Sequence, residues 1–329
     1  MAVLADRFSR RFTYLRVSVT DRCNFRCVYC MPAEGAAVLP RADILTFEEI
    51  ARVVEVGVGL GMTKVRLTGG EPTVRTELPT LVRLLRNIPG LGELSMTTNA
   101  SRLGELAGPL KLAGLDRVNI SLDSLRPDRA ARIARRDVLG GVVQGIDAAI
   151  AAGLTPLKLN AVVIGGVNDD ELVDLVHFAR ERDAEMRFIE YMPMGDARLD
   201  PTNRVVTAAE MRRRLLGAFE LEPVASADAS DPARGWRCRR SGARVGFITS
   251  VSDHFCQTCT RMRLTAEGRL RPCLHQDAEV DVRSILRRGG DAAAIREAFE
   301  RAAALKWEGH QMTHFVPLFS RREMVGIGG

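Results

Sequence analysis

Six short runs rich in strand-forming residues, near 14–19, 64–68, 94–98, 117–122, 156–163 and 185–191, alternate with helix-like segments through the first two-thirds of this 329-residue chain. Such alternation implies a parallel sheet built from βα units, and six is the natural count. The helices carry their own boundary signals. Thr46 followed by Glu49 is a capping box, Leu78 to Leu85 has helical spacing, and Val142 to Ala152 ends at Gly153. Gly57, Gly59 and Gly61 close a helix instead of following a strand, which argues against a dinucleotide-binding fingerprint.

Strands covered on both faces read as continuous apolar runs, yet these alternate. Residues two apart share a face, so Arg16 and Ser18, Lys64 and Arg66, Thr97 and Asn99, Asn119 and Ser121, and Lys158 and Asn160 form one polar face. Leu15, Val17, Val65, Leu67, Val118, Ile120, Leu157 and Leu159 form the other and pack under helices. A polar inner face predicts a curved sheet or partial barrel around a cavity, with active-site loops after the strands; an open sheet with polar strand ends is the alternative. After about residue 215 the alternation stops, and Ala225 to Ala233 reads as an exposed connection. This predicts a core over 1–215 and a smaller region over 216–329.

Cys23, Cys27 and Cys30 form CxxxCxxC directly after the first strand-like run. Three thiolates fall short of the four protein ligands of a structural zinc site, and no histidine or further cysteine follows until His177. A cubane iron-sulfur cluster, usually held by four thiolates, would here keep one iron unligated by protein. Such an iron can chelate the amino and carboxylate groups of S-adenosylmethionine beside a one-electron reductant. Arg22, Asn24 and Arg26 make the segment too polar for an incidental apolar turn. Gly69, Gly70, Glu71 and Pro72 follow the second strand, on the same rim, and the two glycines permit close backbone approach to a ligand.

A second set, Cys256, Cys259 and Cys273, also offers three ligands. On spacing alone zinc competes evenly, with His254, His275 or Cys238 as a fourth ligand. Arg261 and Arg263, flanking Met262, could grip phosphate or carboxylate bidentately, although a solvated hairpin strand is the ordinary reading.

The seven cysteines fall in short-spaced groups that do not resemble a disulfide framework, and iron-bound thiolates suit a reducing cytosol. The opening MAVLADRFSRR lacks the apolar stretch of a signal peptide, and no run approaches membrane-spanning length. A cytoplasmic protein without membrane contact is expected. The formal charge of +6 fits an anionic ligand only weakly, because arginine is spread along the chain. Nucleic acid is not required: a zinc-bearing RNA-binding protein would leave the first triad unexplained and lacks aromatic stacking motifs.

YLRVSVTDRCNFRCVYC resembles the signature of the radical SAM superfamily. Together with VRLTGGEPTVR, the segment from Cys256 to Cys273 and the terminal Gly328-Gly329, it is similar to the molybdenum cofactor biosynthesis protein A family, GTP 3',8-cyclase, from Phe12 to Gly329. The resemblance implies a partial triose-phosphate-isomerase-type (βα)6 barrel whose open side is closed by the C-terminal region. It implies a 4Fe-4S cluster on Cys23, Cys27 and Cys30, with Tyr29, Gly70, Ser121 and Met192 contacting S-adenosylmethionine. A second 4Fe-4S cluster would sit on Cys256, Cys259 and Cys273, with GTP held by Arg16, Arg66, Thr97, Lys158, Arg261 and Arg263. The implied reaction begins with a 5'-deoxyadenosyl radical that takes hydrogen from C3' of GTP, and it yields 3',8-cyclo-7,8-dihydro-GTP. The implied partners are an electron donor and a downstream cyclic pyranopterin monophosphate synthase, for a monomer or homodimer. The C-terminal Gly-Gly tail would reach into the site. Cys238 lies outside the family's motifs and reads as a spare thiol. A radical SAM peptide-modifying enzyme is the nearest competitor, but such proteins usually carry more C-terminal cysteines.

Overall fold

The six expected strands form in chain order as β1 (Tyr14–Ser18), β2 (Lys64–Thr68), β3 (Glu93–Thr98), β4 (Arg117–Ser121), β5 (Lys158–Val163) and β6 (Glu185–Glu190), each parallel to the next. The computed structural model describes residues 3–193, 204–226, 228–310 and 323–328. Between the strands lie α1 (Phe47–Gly59), α2 (Leu78–Arg86), α3 (Leu103–Leu112), α4 (Pro127–Ala134), α5 (Leu139–Ala151) and α6 (Leu172–Glu181). The capping box of α1 is complete: the Glu49 amide donates to the Thr46 hydroxyl at 3.1 Å, and the Thr46 amide donates to the Glu49 carboxylate at 2.8 Å. Helix α5 begins at Leu139, ahead of the expected Val142, and stops where Gly153 turns the chain at a φ of +71°.

Alternation along the strands sorts the two faces as expected. Leu15, Val17, Val65, Leu67, Val118, Ile120, Leu157 and Leu159 are each at most 1 % exposed within one continuous core. Burial of such side chains is worth about 1.5–3 kcal/mol apiece, which fixes strand register, because a one-residue slip would turn the arginines into the helices.

The C-terminal part joins the same sheet as the core. It comprises α7 (Ala208–Leu216), β7 (Leu221–Val224), β8 (Ala233–Cys238), β9 (Arg244–Ile248), β10 (Arg261–Leu264), β11 (Arg269–Arg271), β12 (Val280–Asp281), α8 (Arg283–Arg287) and α9 (Ala292–Ala304). Its strands extend both edges of the same sheet, in the order β12-β11-β10-β1-β2-β3-β4-β5-β6-β9-β8-β7. Both β9, beside β6, and β10, beside β1, run parallel to their neighbours, so eight parallel strands line the barrel. Among the described strands β9 and β10 do not pair, and the barrel stays open there. Arg261–Met262–Arg263 is therefore barrel wall and not a solvated hairpin: Met262 and Leu264 enter the core while the arginines face the interior.

Strand direction fixes where the cysteines go. The loop carrying Cys23, Cys27 and Cys30 follows β1 and lies at the C-terminal end of the parallel array. Cys256 and Cys259 precede β10, and Cys273 follows the antiparallel β11, so the second triad lies at the N-terminal end. Among the described residues no helix is long and apolar enough to cross a membrane.

Candidate active site

Two contiguous cavities occupy the barrel. The first, of about 180 Å³, is lined by Cys23, Cys27, Cys30, Gly69, Gly70 and Glu71, with Met324 and Val325 of the tail. The second, of about 320 Å³, runs from Tyr29, Ser121 and Asp123 to Cys256, Cys259 and Cys273. Tyr29, Thr97, Ser121 and Asp123 line both. Of the polar-face residues expected inside, Arg16, Lys64, Arg66, Thr97, Asn119, Ser121, Lys158 and Asn160 line the larger cavity and Asn99 the smaller. Ser18 instead turns its hydroxyl to the Thr20 carbonyl.

The first triad sits in an apolar and anionic setting. Burial, reinforced by the neighbouring carboxylates, pushes the Cys23 thiol up to about 11 and Cys30 up to about 12, and raises Cys27 as well. Asp123 accepts from the Tyr29 hydroxyl at 2.7 Å and from the Val162 amide at 2.9 Å, and burial lifts its carboxyl to about 6. Glu71, also raised by burial, accepts from the Thr73 amide and from the Asn99 amide and so ties the ends of β2 and β3 together. Thiols in such a setting become ligands once a cationic metal core displaces their protons. All three line one small cavity, which fits a cluster held by three thiolates.

Gly69 and Gly70 line the first cavity, and Gly70 also meets a second demand. A Cβ on Gly70 would stand 2.2 Å from the Arg22 carbonyl oxygen, and the Gly70 amide donates to Thr20 at 2.8 Å. The close approach is thus to the cysteine loop itself, which docks on the end of β2.

The second triad meets cations. Burial pushes the Cys259 thiol up, but Arg261 and Lys306 outweigh it and bring the group down to about 6. Cys256 is raised by burial, with Cys273 and Cys259 adding to it. Of the alternative zinc ligands, Cys238 is buried in β8 opposite Leu221 and does not line the cavity. His254 meets the His310 ring edge-on and His275 meets it tilted, with ring centroids 4.0 and 4.1 Å apart. Among the described residues no three Cys, His, Asp or Glu side chains converge tightly enough to hold a single metal ion. The larger cavity instead offers three cysteines around an open space, together with buried Asn160 Oδ1 and His275 Nδ1, which have no hydrogen-bond partner. That donor set fits a cluster facing a polar ligand.

Between the triads, register stacks like charges. Arg16 lies directly opposite Arg263 on β10 and Arg66 on β2. Like charges on adjacent strands destabilise a sheet, and buried charge costs still more without a counter-charge. Burial, aided by Arg66 and Arg261, lowers Arg16 to about 10, and burial drives Arg263 well down, with Arg16 and Arg261 adding repulsion. The tail answers part of this: Arg16 donates to the Gly328 carbonyl at 3.1 Å, and Arg263 donates to the Ile327 and Gly328 carbonyls at 3.2 and 2.5 Å. Gly328 has φ +67°, and a Cβ there would meet Thr68 Oγ1 at 2.5 Å. Gly329 lies outside the described residues. Met192 lines the same cavity and packs beside Val251 and Ile327.

Several lining residues were not singled out from the sequence. Asp123 follows Ser121 at the end of β4, where barrel chemistry is expected, and its position was the available signal. Arg117 pairs with Glu93 at 2.7 Å, and Arg187 pairs with Glu185 at 2.7 Å and Asp231 at 2.9 Å. The 225–233 connection also does more than link strands: Asp228 pairs with Lys64, and Asp231 lies 3.7 Å from Lys158. Lys64 of β2, Lys158 of β5 and Arg187 of β6 thus meet carboxylates from a loop that sequence alone marks only as exposed.

A cysteine-bearing loop after the first strand of an open parallel barrel defines a radical SAM protein. The sequence model of the radical SAM superfamily matches residues 17–179, and that of molybdenum cofactor synthesis C matches residues 184–312. The chain is 49 % identical to a GTP 3',8-cyclase of Moorella thermoacetica, covering 94 % of this chain and 95 % of that one. A second GTP 3',8-cyclase, from Petrotoga mobilis, is 44 % identical over 99 % of this chain and 100 % of its own. Among solved structures, Streptococcus suis SuiB bound to S-adenosylmethionine superposes with a TM-score of 0.60 at 15 % identity, over 87 % of this chain and 68 % of that one, a likeness of fold. The chain belongs to the GTP 3',8-cyclase family.

Proposed function

We propose that this chain is a lyase that converts GTP to 3',8-cyclo-7,8-dihydro-GTP, an early step of molybdenum cofactor biosynthesis, in a reducing cytoplasm. The observation that carries the reading is the Arg263–Arg16–Arg66 row, buried between two cysteine triads in one barrel. A cationic row of this kind needs a polyanion to offset its self-repulsion, and a nucleoside triphosphate supplies one.

In this reading Cys23, Cys27 and Cys30 hold one 4Fe-4S cluster, and Tyr29, Gly70, Ser121 and Met192 contact S-adenosylmethionine. Cys256, Cys259 and Cys273 hold the other. Held at Cys23, Cys27 and Cys30, a cluster with S-adenosylmethionine would supply a one-electron reductive cleavage to methionine, with the C3' hydrogen of the ribose passing to 5'-deoxyadenosine. The chain's own residues position the substrate. Arg16, Arg66, Lys158, Arg261 and Arg263 grip its phosphates and base, and Thr97 lies on the wall both cavities share. Fixing the nucleotide remotely keeps C3' and C8 in attacking geometry, and the enclosed barrel excludes water. We assign the first cluster, with Arg16, Arg66, Thr97 and Lys158, to a core over 1–215 and the second cluster, with Arg261 and Arg263, to 216–329, with an electron donor and a downstream cyclic pyranopterin monophosphate synthase as partners of a monomer or homodimer.

The test is anaerobic reconstitution with iron, sulfide, reductant, S-adenosylmethionine and GTP deuterated at C3'. Deuterium should enter 5'-deoxyadenosine as GTP is consumed. Unlabelled 5'-deoxyadenosine alongside converted GTP defeats the reading.

A further inference from the structure

The second triad is held by two buried cations from distant parts of the chain, and they differ in one respect. Arg10 donates to the Cys256 carbonyl at 2.8 Å and to the Glu308 carbonyl at 2.7 Å, and its charge is met by Asp6 at 2.6 Å. Lys306, just beyond α9, is 2 % exposed. Its ammonium donates to the Arg261 carbonyl at 2.7 Å, the Pro272 carbonyl at 2.9 Å and Cys259 Sγ at 3.6 Å, and lies 4.8 Å from the centre of the buried Phe12 ring. An ammonium has three donors, and all three are engaged. Among the described residues no carboxylate pairs with Lys306. The groups near it that can become anionic are the Cys259 and Cys273 thiols.

A buried ammonium without a counter-ion is costly. A thiolate-bound cluster is net anionic, so cluster and lysine each offset the other's burial. At the first triad the charged neighbours include the carboxylates of Glu71 and Asp123, and the cation there, Arg26, donates to the Cys23 and Phe25 carbonyls; among the described residues no buried ammonium donates to a cysteine sulfur there. Net charge, hydrogen bonds to sulfur and exposure set the potential of a thiolate-bound cluster, and Lys306 supplies two of these at once.

We propose that Lys306 is a positioning residue that joins the Cys259 and Cys273 segments and raises the reduction potential of the cluster at the second triad. The inference rests on the two-cluster reading. Failure of that reading shows as no cluster iron at the second triad in otherwise unaltered protein, whereas failure of the inference shows in the potential.

The experiment uses the full chain with Cys23, Cys27 and Cys30 replaced by Ala, so that one cluster signal remains, titrated potentiometrically under dithionite and followed by electron paramagnetic resonance. Lys306→Met keeps the length and removes the charge. The midpoint should fall so that the reduced-to-oxidised ratio at the parent midpoint drops at least about tenfold, or about 59 mV for one electron. Lys111→Met, on an exposed helix, should leave the midpoint in place. Full iron with an unchanged midpoint in Lys306→Met overturns the proposal. If Lys306→Met loses the cluster, Lys306→Arg decides: recovered iron at the parent midpoint supports the role of the charge, and failure to recover iron overturns it.

Discussion

Cys23, Cys27 and Cys30 at one end of the barrel, and Cys256, Cys259 and Cys273 at the other, present the same three donors to opposite electrostatic surroundings. At the C-terminal end, burial and the carboxylates of Glu71 and Asp123 raise all three thiols. At the N-terminal end, Arg261 and Lys306 hold Cys259 down at about 6 against its burial. The difference teaches that a cysteine count specifies a metal group but not its task. An electron-rich group in an anionic pocket suits giving an electron away, whereas one ringed by cations suits holding an anionic nucleotide in place.

The contrast breaks most sharply through the ligands themselves. Cys27→Ala should abolish 5'-deoxyadenosine formation while iron remains at the second triad. Cys259→Ala should keep reductive cleavage of S-adenosylmethionine and lose GTP conversion. Iron analysis and product chromatography read both, and equal loss of cleavage in the two variants would remove the division of labour.

The arginine row sharpens it next. Arg66→Ala should weaken GTP binding by about 10- to 150-fold, the worth of a charge-assisted hydrogen bond of about 1.5–3 kcal/mol. The same change relieves repulsion with Arg16, so the ligand-free protein should melt no lower than the parent. Calorimetry of binding and of unfolding should therefore move in opposite senses; a joint decrease assigns Arg66 to structure.

Gly328→Ala forces a Cβ into a left-handed backbone at a cost of about 1–2 kcal/mol and into Thr68. We expect kcat to fall about tenfold, the equivalent of about 1.4 kcal/mol, with iron content intact. An unchanged kcat would free the tail from any part in the site.

The smallest effect concerns the loop carboxylates. Lys64 and Asp228 are each more than a third exposed, so their pair contributes about 0.2–1 kcal/mol. Asp228→Asn should tighten GTP binding by no more than about 5-fold, measured by equilibrium titration, and weaker binding would mean that Asp228 orders Lys64 for the ligand.

Legibility in the sequence followed distance along the chain. The six strands, the capping box at Thr46 and Glu49, the stop at Gly153 and the inward arginines were readable because each signal lies within a few residues of its effect. The second constraint on Gly70 was not readable, since the Arg22 carbonyl that forbids a side chain there comes from another segment. Lys306, Arg187 and Asp231 carried no mark at all, because their value lies in partners distant in sequence.

The sequence by itself determined the parallel βα pattern, the polar interior and the two three-thiol sets, all properties of local spacing. Only the tertiary structure decided that the sets face each other along one barrel from opposite ends. That outcome depends on β10 running parallel beside β1. Backbone hydrogen bonds between such remote strands form in either direction with no residue-level label; the packing of Met262 and Leu264 into the core, which turns Arg261 and Arg263 inward, fixes the choice.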